Sequence, residues 1–205
     1  MQTIFTKEFM LNNLIDHYSN ENIIRLYFKD GNENINSDII LDSLIPIKDK
    51  YWFFCHNVFD EKQNQEIAIK LAQIVLPIYE AKYPENTALR DAISTVRLFL
   101  NFHPLITLDQ LIIKEKKALK AANNAETTAL YGTDSTVSDY AAASAAHTAH
   151  AACKAATCKA IAVGYANMAA ITALTAAHAY AADYHTTIYQ TKISNLLTEF
   201  INDNK

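Results

Sequence analysis

The sequence predicts an all-α protein, an antiparallel helical bundle in which long alanine-rich C-terminal helices pack on shorter N-terminal helices. Its 205 residues include only three glycines and four prolines, and a fold with many tight turns normally needs more of both. Alanine accounts for 26 of the 65 residues from 118 to 182, and alanine is the best intrinsic helix former. These alanines recur at steps of three and four, which places them on one side of a helix.

Residues 1–37 are predicted to form a separate N-terminal helical segment. Thr6 is a suitable cap for a first short helix, and a second one is expected over residues 21–29. A small hairpin that pairs residues 26–28 with 33–35 is the alternative for the end of this segment.

Residues 38–205 are predicted to form one alanine-rich helical domain with a continuous core. Ser37 or Asp38 is expected to open its first helix and Pro46 to break it, and a further helix runs through residues 50–54.

The middle of the chain carries two stronger helical patterns. The first covers residues 61–82, with Pro77 as a kink, and the second begins at Pro84 or Glu85. The apolar faces comprise Ile67, Leu71, Ile74, Val75 and Ile78 in the first helix and Leu89, Ile93, Val96 and Leu100 in the second. Thr107 is expected to cap the helix that follows.

Alanine seams dominate the region after residue 117. They consist of Ala118, Ala122, Ala125 and Ala129; Ala141, Ala145, Ala149, Ala152, Ala156 and Ala160; and Ala162, Ala166, Ala169, Ala173 and Ala176. Methyl side chains let helix axes approach closely. Gly132 with Ser135 predicts a break, and Gly164 predicts a second break or a close-contact point within a helix. The last segment, 184–200, regains large side chains and is expected to close the bundle.

The charge and the cysteines exclude several classes of protein. The formal net charge is −4, and the first 60 residues hold nine carboxylates against five cations. No basic stripe is present, so nucleic-acid binding is not predicted. Three cysteines, an odd number, indicate a reducing compartment. The N-terminus lacks the pattern of a signal peptide. We expect a soluble, cytoplasmic protein.

One uncharged stretch, between Lys159 and Asp183, is long enough in principle to span a bilayer. It consists mostly of alanine with several polar residues, and alanine contributes little insertion energy. A buried helix is therefore the better interpretation, and no membrane contact is predicted.

Histidines are the candidate polar cluster. His147 and His150, with Cys153 three residues further on, suggest a metal site, but steps of three advance about 300° on a helix and the side chains fan out. A zinc site would need two of them plus His178 or His185. Polar groups tucked between alanine helices are the better interpretation, and no metal or cofactor is predicted.

Catalytic motifs are absent from the sequence. Cys55 and His56 are neighbours, and neighbours on a helix point in different directions. No Glu-x-x-His pair, phosphate-binding glycine loop, G-x-S-x-G or C-x-x-C occurs. We therefore expect a protein without enzymatic activity.

Three charged residues, Glu80, Arg90 and Arg97, flank the corner at Tyr83-Pro84. They have two interpretations: a structural ion-pair set that fixes how two helices cross, or a charged edge presented to a partner. Burial of Arg90 would favour the first and exposure the second.

Several of these segments resemble immunity proteins of bacterial polymorphic toxin systems, an all-helical, alanine-rich family. The similarity covers residues 38–201. It rests on the run from Asp42 to Phe53 (DSLIPIKDKYWF), on Val75 to Glu80 (VLPIYE), and on Tyr83-Pro84, Arg90, Ala92-Ile93, Arg97, Tyr189-Gln190 and Leu196-Leu197.

The resemblance implies a cytoplasmic protein that binds and neutralises a cognate bacterial toxin by protein–protein contact. Residues 1–37 fall outside the similarity and are expected to be partner-specific, with their acidic charge suited to a basic, nuclease-type toxin. The alternative is a non-enzymatic structural or regulatory helical module that acts through a homodimer or another host protein.

Overall fold

The computed structural model describes residues 4–6, 8–9, 34–43, 45–101, 106–158, 161–184 and 186–204. Over these ranges the chain forms eight helices and one small two-stranded sheet, and the helices pack against one another. The predicted all-α fold is therefore confirmed. Among the described helices, none combines the length and apolarity that a membrane crossing requires.

The elements follow one another in a simple order. They are β1 Ile4–Thr6, β2 Asn34–Asn36, α1 Ser37–Asp42, α2 Ile47–Asn57, α3 Glu61–Lys82, α4 Ala88–Leu100, α5 Leu108–Tyr131, α6 Val137–Thr157, α7 Ala162–Tyr184 and α8 Ile188–Asp203. Residues 1–58 with 197–205 form one compact unit and residues 59–196 form another. The predicted boundary after residue 37 stays a prediction.

The first unit contains β1, β2, α1 and α2. The strands pair antiparallel, with Phe5 opposite Ile35. The alternative hairpin pairs residues 26–28, which lie outside the described ranges, so it stays a prediction. Asn36 caps α1 in place of Ser37 or Asp38, since its side chain accepts from the Ile39 amide at 2.9 Å. Pro46 precedes α2, as expected of a residue that cannot donate a backbone hydrogen bond.

The second unit is built around α6, which packs against α3, α4, α5 and α7. Gln65 on α3 donates to the Ala155 carbonyl of α6, while Lys82 at the other end of α3 pairs with Asp139 at the start of α6. Residue numbers rise along one helix as they fall along the other, so α3 and α6 run antiparallel. Such packing buries α6 along nearly its whole circumference.

The alanine seams lie where the sequence places them. Every described member of the three seams is buried; Ala160 lies outside the described residues. Methyl groups leave room for the backbones to approach, and the buried seams of α5, α6 and α7 form the alanine layer of the second unit. Of the large residues of the last segment, Ile193, Leu197 and Phe200 are buried along α8, whereas Tyr184 and Ile188 are exposed.

Helix ends differ from the predictions at two places. The helix after Tyr83-Pro84 begins at Ala88 rather than at Pro84 or Glu85, because residues 84–87 form the turn. Gly132 ends α5 as predicted, but Gly164 is neither a break nor a contact point within the chain. It lies in the first turn of α7, and a Cβ built on it would meet nothing within 4 Å.

Candidate functional site

The three predicted charged residues lie on one exposed side of the α3–α4 pair. Helix α3 begins with a capping box, in which Asp60 and Gln63 each accept a hydrogen bond from the other's backbone amide. Its predicted apolar face is buried except for the half-buried Ile74. Helix α4 buries Leu89, Ile93 and Val96. Most of the polar residues of both helices therefore face outwards; Asn64 and Gln65 of α3 are buried exceptions.

We call this outward surface the α3–α4 face. It comprises Glu66, Lys70, Gln73, Pro77 and Glu80 of α3, spaced by four, three, four and three residues, and Arg90, Ser94 and Arg97 of α4, spaced by four and three. The two rows lie side by side, since Glu80 contacts Arg90 at one end and Gln73 and Arg97 share a groove further along.

The Glu80–Arg90 ion pair closes one end of the α3–α4 face. Nε of Arg90 donates to Oε1 of Glu80 at 2.7 Å, and 57% of the arginine side chain is exposed. The ion pair agrees in part with both interpretations. It links two helices, and its arginine side chain is exposed to solvent. Since exposed ion pairs contribute little stability, the pair serves mainly to hold the Arg90 guanidinium in place.

Arg97 lies in a groove towards the other end of the α3–α4 face. The groove has a volume of about 350 Å³ and is lined by Glu66, Ile69, Lys70, Gln73, Arg97, Leu100 and Asn101. Ile69 and Leu100 are the apolar members of this lining. A guanidinium beside apolar surface suits a planar carboxylate or amide on a partner.

Pro77 adds an acceptor to this face. It lies inside α3 and has no backbone N–H, so it cannot bond the carbonyl of Gln73 one turn earlier. That carbonyl can instead accept a hydrogen bond from an incoming group. The polar residues that line the groove supply both hydrogen-bond donors, from Lys70 and Arg97, and acceptors, from Glu66 and the side-chain carbonyls of Gln73 and Asn101.

Two more ion pairs hold neighbouring helices in the second unit. Lys82 Nζ lies 2.9 Å from Oδ1 of the buried Asp139, and Lys114 Nζ lies 3.3 Å from Asp91 Oδ2. Burial disfavours the charged form of Asp139, but hydrogen bonds from Thr136 and Lys82 outweigh it and lower the pKa of the carboxyl. Sequence reasoning missed Asp139, although Thr136-x-x-Asp139 has the spacing of a capping box.

His147 and His150 each reach across from α6 to a glutamate of α5. Nε2 of His147 lies 3.1 Å from Oε2 of Glu126, and Nε2 of His150 lies 2.9 Å from Oε1 of Glu115. Lys154 also contacts Oε1 of Glu115, at 3.5 Å. We call Glu115, His150 and Lys154 the Glu115 cluster.

Burial sets the chemistry of the Glu115 cluster. Only 6% of the Glu115 side chain is exposed. Burial lowers the pKa of His150, although its hydrogen bond to Glu115 acts in the opposite direction. Glu115 was not predicted, yet it continues the α5 seam backwards, three residues before Ala118. An acidic residue at a seam position was therefore the sequence signal that could have identified Glu115.

Of the other two predicted histidines, His178 is exposed on α7, and His185 lies outside the described residues. In the part of the chain that the structure describes, no group of three His, Cys, Asp or Glu residues is placed to hold a metal ion.

The buried cysteines are poor nucleophiles. Burial raises the pKa of Cys55 and of Cys153 to about 12, so both are protonated thiols at neutral pH. His56 points elsewhere: it is exposed and stacks on Trp52, with ring centroids 4.7 Å apart.

Comparison with known proteins adds no relative: no protein-family model, no curated protein and no solved structure matches this chain.

Proposed function

We propose that this chain is a cytoplasmic immunity protein that binds a cognate bacterial toxin and neutralises it by contact, without catalysis. The observation that carries the proposal is the α3–α4 face. Three residues within the segments that resemble the immunity family, Glu80, Arg90 and Arg97, share one exposed surface beside an open groove.

The chemistry of this face favours a protein partner. It carries both carboxylates, on α3, and cations, on both helices, and the groove adds apolar side chains beside them. Specific protein–protein contacts combine apolar and polar groups in this way. Arginine is enriched among the residues that dominate binding energy, because its planar guanidinium bonds a carboxylate through two parallel hydrogen bonds.

The experiment is rescue from toxicity. The gene immediately upstream of this one is expressed in a sensitive host, alone and together with this chain. We expect the upstream product to kill when expressed alone and this chain to restore growth. Survival that does not depend on this chain, or a harmless upstream product, would contradict the proposal.

Reversing the charge of Arg97 tests whether the toxin binds at the α3–α4 face. Arg97→Glu is expected to raise the dissociation constant at least about tenfold, a loss of about 1.4 kcal/mol in binding, and thereby to reduce survival. Arg97→Lys keeps the charge but not the two parallel hydrogen bonds, so it should fall between Arg97→Glu and the wild type.

The matched control for this reversal is Lys120→Glu, at an exposed position on α5 outside the α3–α4 face. It should protect like the wild type. Equal losses from Arg97→Glu and Lys120→Glu would show that net charge, not the α3–α4 face, mediates the contact.

A further inference from the structure

Tyrosines and carboxylates lie together at one end of the second unit, on a surface that the α3–α4 face does not include. We call this surface the tyrosine end and define it by Tyr131, Asp134, Tyr140, Asp183 and Tyr184. All five are exposed, and the exposed fraction is 79% for Tyr131, 45% for Tyr140 and 54% for Tyr184. Tyrosine is enriched at protein interfaces, so this surface is a candidate for a contact.

The α5–α6 pair brings Tyr131 and Tyr140 to the same level. Glu126 of α5 contacts His147 of α6, and the Glu115 cluster joins an earlier part of α5 to a later part of α6. The two helices therefore run antiparallel. Tyr131, five residues beyond Glu126, lies level with the start of α6, where Tyr140 is.

The α6–α7 pair brings Tyr184 to this level as well. The hydroxyl of Thr148 on α6 donates to that of Thr172 on α7 at 3.0 Å. The two helices run antiparallel, because only residues 158–161 connect them, so the last turn of α7 lies beside the first turn of α6. Asp139 in that first turn is the main cause of the raised pKa of Lys82, and Tyr184 is close enough to contribute to it.

The charge of the tyrosine end is negative. A cation stabilises the C-terminal end of a helix, but the last turns of α5 and α7 contain no basic residue. Asp183 lies in the last turn of α7, and Asp134 lies in the turn just after α5. Lys82 does not offset them, since Asp139 already pairs with it. Both helix ends therefore favour a cation supplied by a partner.

The tyrosine rings add a second attraction for cations. The face of an aromatic ring attracts an ammonium or guanidinium group within about 6 Å of its centre. The chain itself shows this contact, since Nζ of Lys192 lies 5.5 Å from the ring centre of Tyr189. Tyr180 packs against both Tyr189 and Tyr184, with ring centroids 5.1 and 4.4 Å apart. The exposed part of Tyr184 leaves ring surface available to a cation from outside.

Charge and ring surface together specify the occupant. An apolar partner would cover Asp134 and Asp183 without a counter-charge, and an acidic partner would be repelled. We propose that the tyrosine end binds a lysine- and arginine-rich segment of a protein partner, whose cations pair with its two carboxylates and lie against its three tyrosine rings. Each exposed contact of this kind is weak, so binding needs several cations in one segment. Binding here is independent of the proposed contact at the α3–α4 face.

Fluorescence anisotropy of a labelled oligo-arginine peptide, titrated with the full chain, tests this proposal. Measurement at about pH 8 keeps the histidines neutral. We expect saturable binding to the wild type. The double variant Asp134→Asn/Asp183→Asn should raise the dissociation constant about fivefold or more, because two ion pairs are lost. Its unfolding midpoint should stay the same or rise slightly, because a carboxylate is unfavourable near a helix C-terminus.

The ring contacts are tested at Tyr184. Tyr184→Leu keeps an apolar side chain but removes the ring, and should raise the dissociation constant about threefold. Tyr184→Phe keeps the ring and should bind the peptide like the wild type. If Tyr184→Leu also binds like the wild type, charge alone accounts for binding and the proposal is overturned.

The matched control neutralises two exposed carboxylates outside the tyrosine end, in Asp109→Asn/Glu199→Gln. It should bind the peptide like the wild type, and an equal loss in this control would overturn the proposal. So would the absence of saturable binding up to roughly 1 mM chain. Arg97→Glu should bind the peptide no more weakly than the wild type, so failure at the tyrosine end is distinguishable from failure at the α3–α4 face.

Amide chemical shifts locate the bound peptide. On addition of the peptide, the resonances of residues 131–140 and 183–184 should shift most. The competing location is the acidic first 60 residues, which hold nine carboxylates against five cations. Shifts confined to that region would overturn the assignment of binding to the tyrosine end.

Discussion

The Glu115 carboxylate is a buried acidic group of the second unit. His150 and Lys154 both contact its Oε1 oxygen, and Lys154, 30% exposed, reaches solvent more than His150 does. A buried carboxylate needs a counter-charge, because the loss of hydration costs several kcal/mol. Lys154 therefore neutralises Glu115 while its amine stays partly hydrated.

Removal of this counter-charge should destabilise the protein. Lys154→Met keeps the length of the side chain and is expected to lower the free energy of unfolding by about 1–3 kcal/mol, less than the 3–5 kcal/mol of a fully buried pair because Lys154 is partly exposed. Urea unfolding at neutral pH measures the change. Lys117→Met, at an exposed position on α5, is the control, and an equal loss there would refute the role of Lys154.

The lowered pKa of His150 predicts how stability depends on pH. An unfolded histidine has a pKa near 6.5 and therefore binds a proton before the folded one does. Stability should be complete above about pH 6.5 and should fall as the pH drops below that value towards the folded pKa. His150→Gln cannot titrate and should flatten this part of the profile.

Unfolding midpoints at about pH 7.5 and about pH 5.5 measure the effect, within the range where histidine titrates. His147→Gln is the comparison, since that residue occupies the other glutamate-facing position of α6. If the stability of His150→Gln falls towards acid as steeply as that of the wild type, or rises towards acid, a group other than His150 controls stability between these two pH values.

The sequence predicted neither the exposure of Arg90 and Arg97 nor the two buried acidic residues, Glu115 and Asp139. The two arginines are seven residues apart, so helical periodicity places them on one side of α4, but the sequence left open whether that side is buried. Glu115 occupies a seam position, which the pattern marks as apolar, and only tertiary contacts show which cations face it.

At the scale of elements, alanine seams decide how closely α5, α6 and α7 pack. Each described seam residue is buried, so nothing larger than a methyl group fits without moving a helix. Dense interiors tolerate added volume poorly, because neighbouring side chains already lie in van der Waals contact.

A larger residue in a seam should therefore destabilise the bundle. Ala122→Leu on α5 is expected to cost about 1–3 kcal/mol by overpacking. Lys120→Leu introduces the same side chain two positions away on the exposed side of the same helix, and should change stability by less than about 0.5 kcal/mol. Thermal unfolding of both variants compares them, and a neutral Ala122→Leu would mean that the seam contains unfilled space.

Helix boundaries were predictable where the capping residues form a recognisable pattern in the sequence. The helix over residues 61–82 has the predicted bounds, and Thr107 caps α5 through a reciprocal box with Gln110. The start of α4 was misplaced because proline favours a helix N-terminus, whereas the Tyr83–Asn86 turn delays the helix to Ala88. The pairing of β2 with β1 joins residues thirty apart, which no local pattern reveals.

At the scale of the whole molecule, the α3–α4 face is the surface that the proposed contact uses. It combines charged side chains with a groove, as a surface that discriminates one partner from others should.

The central claim, neutralisation by contact rather than by catalysis, is tested most directly by titrating the activity of the purified toxin with this chain. We expect inhibition to rise linearly and to be complete at stoichiometric amounts, to be immediate, and to reverse when the complex is separated. Inhibition that is completed by a small fraction of an equivalent and that progresses with time would show that the chain modifies its target, and would contradict the claim.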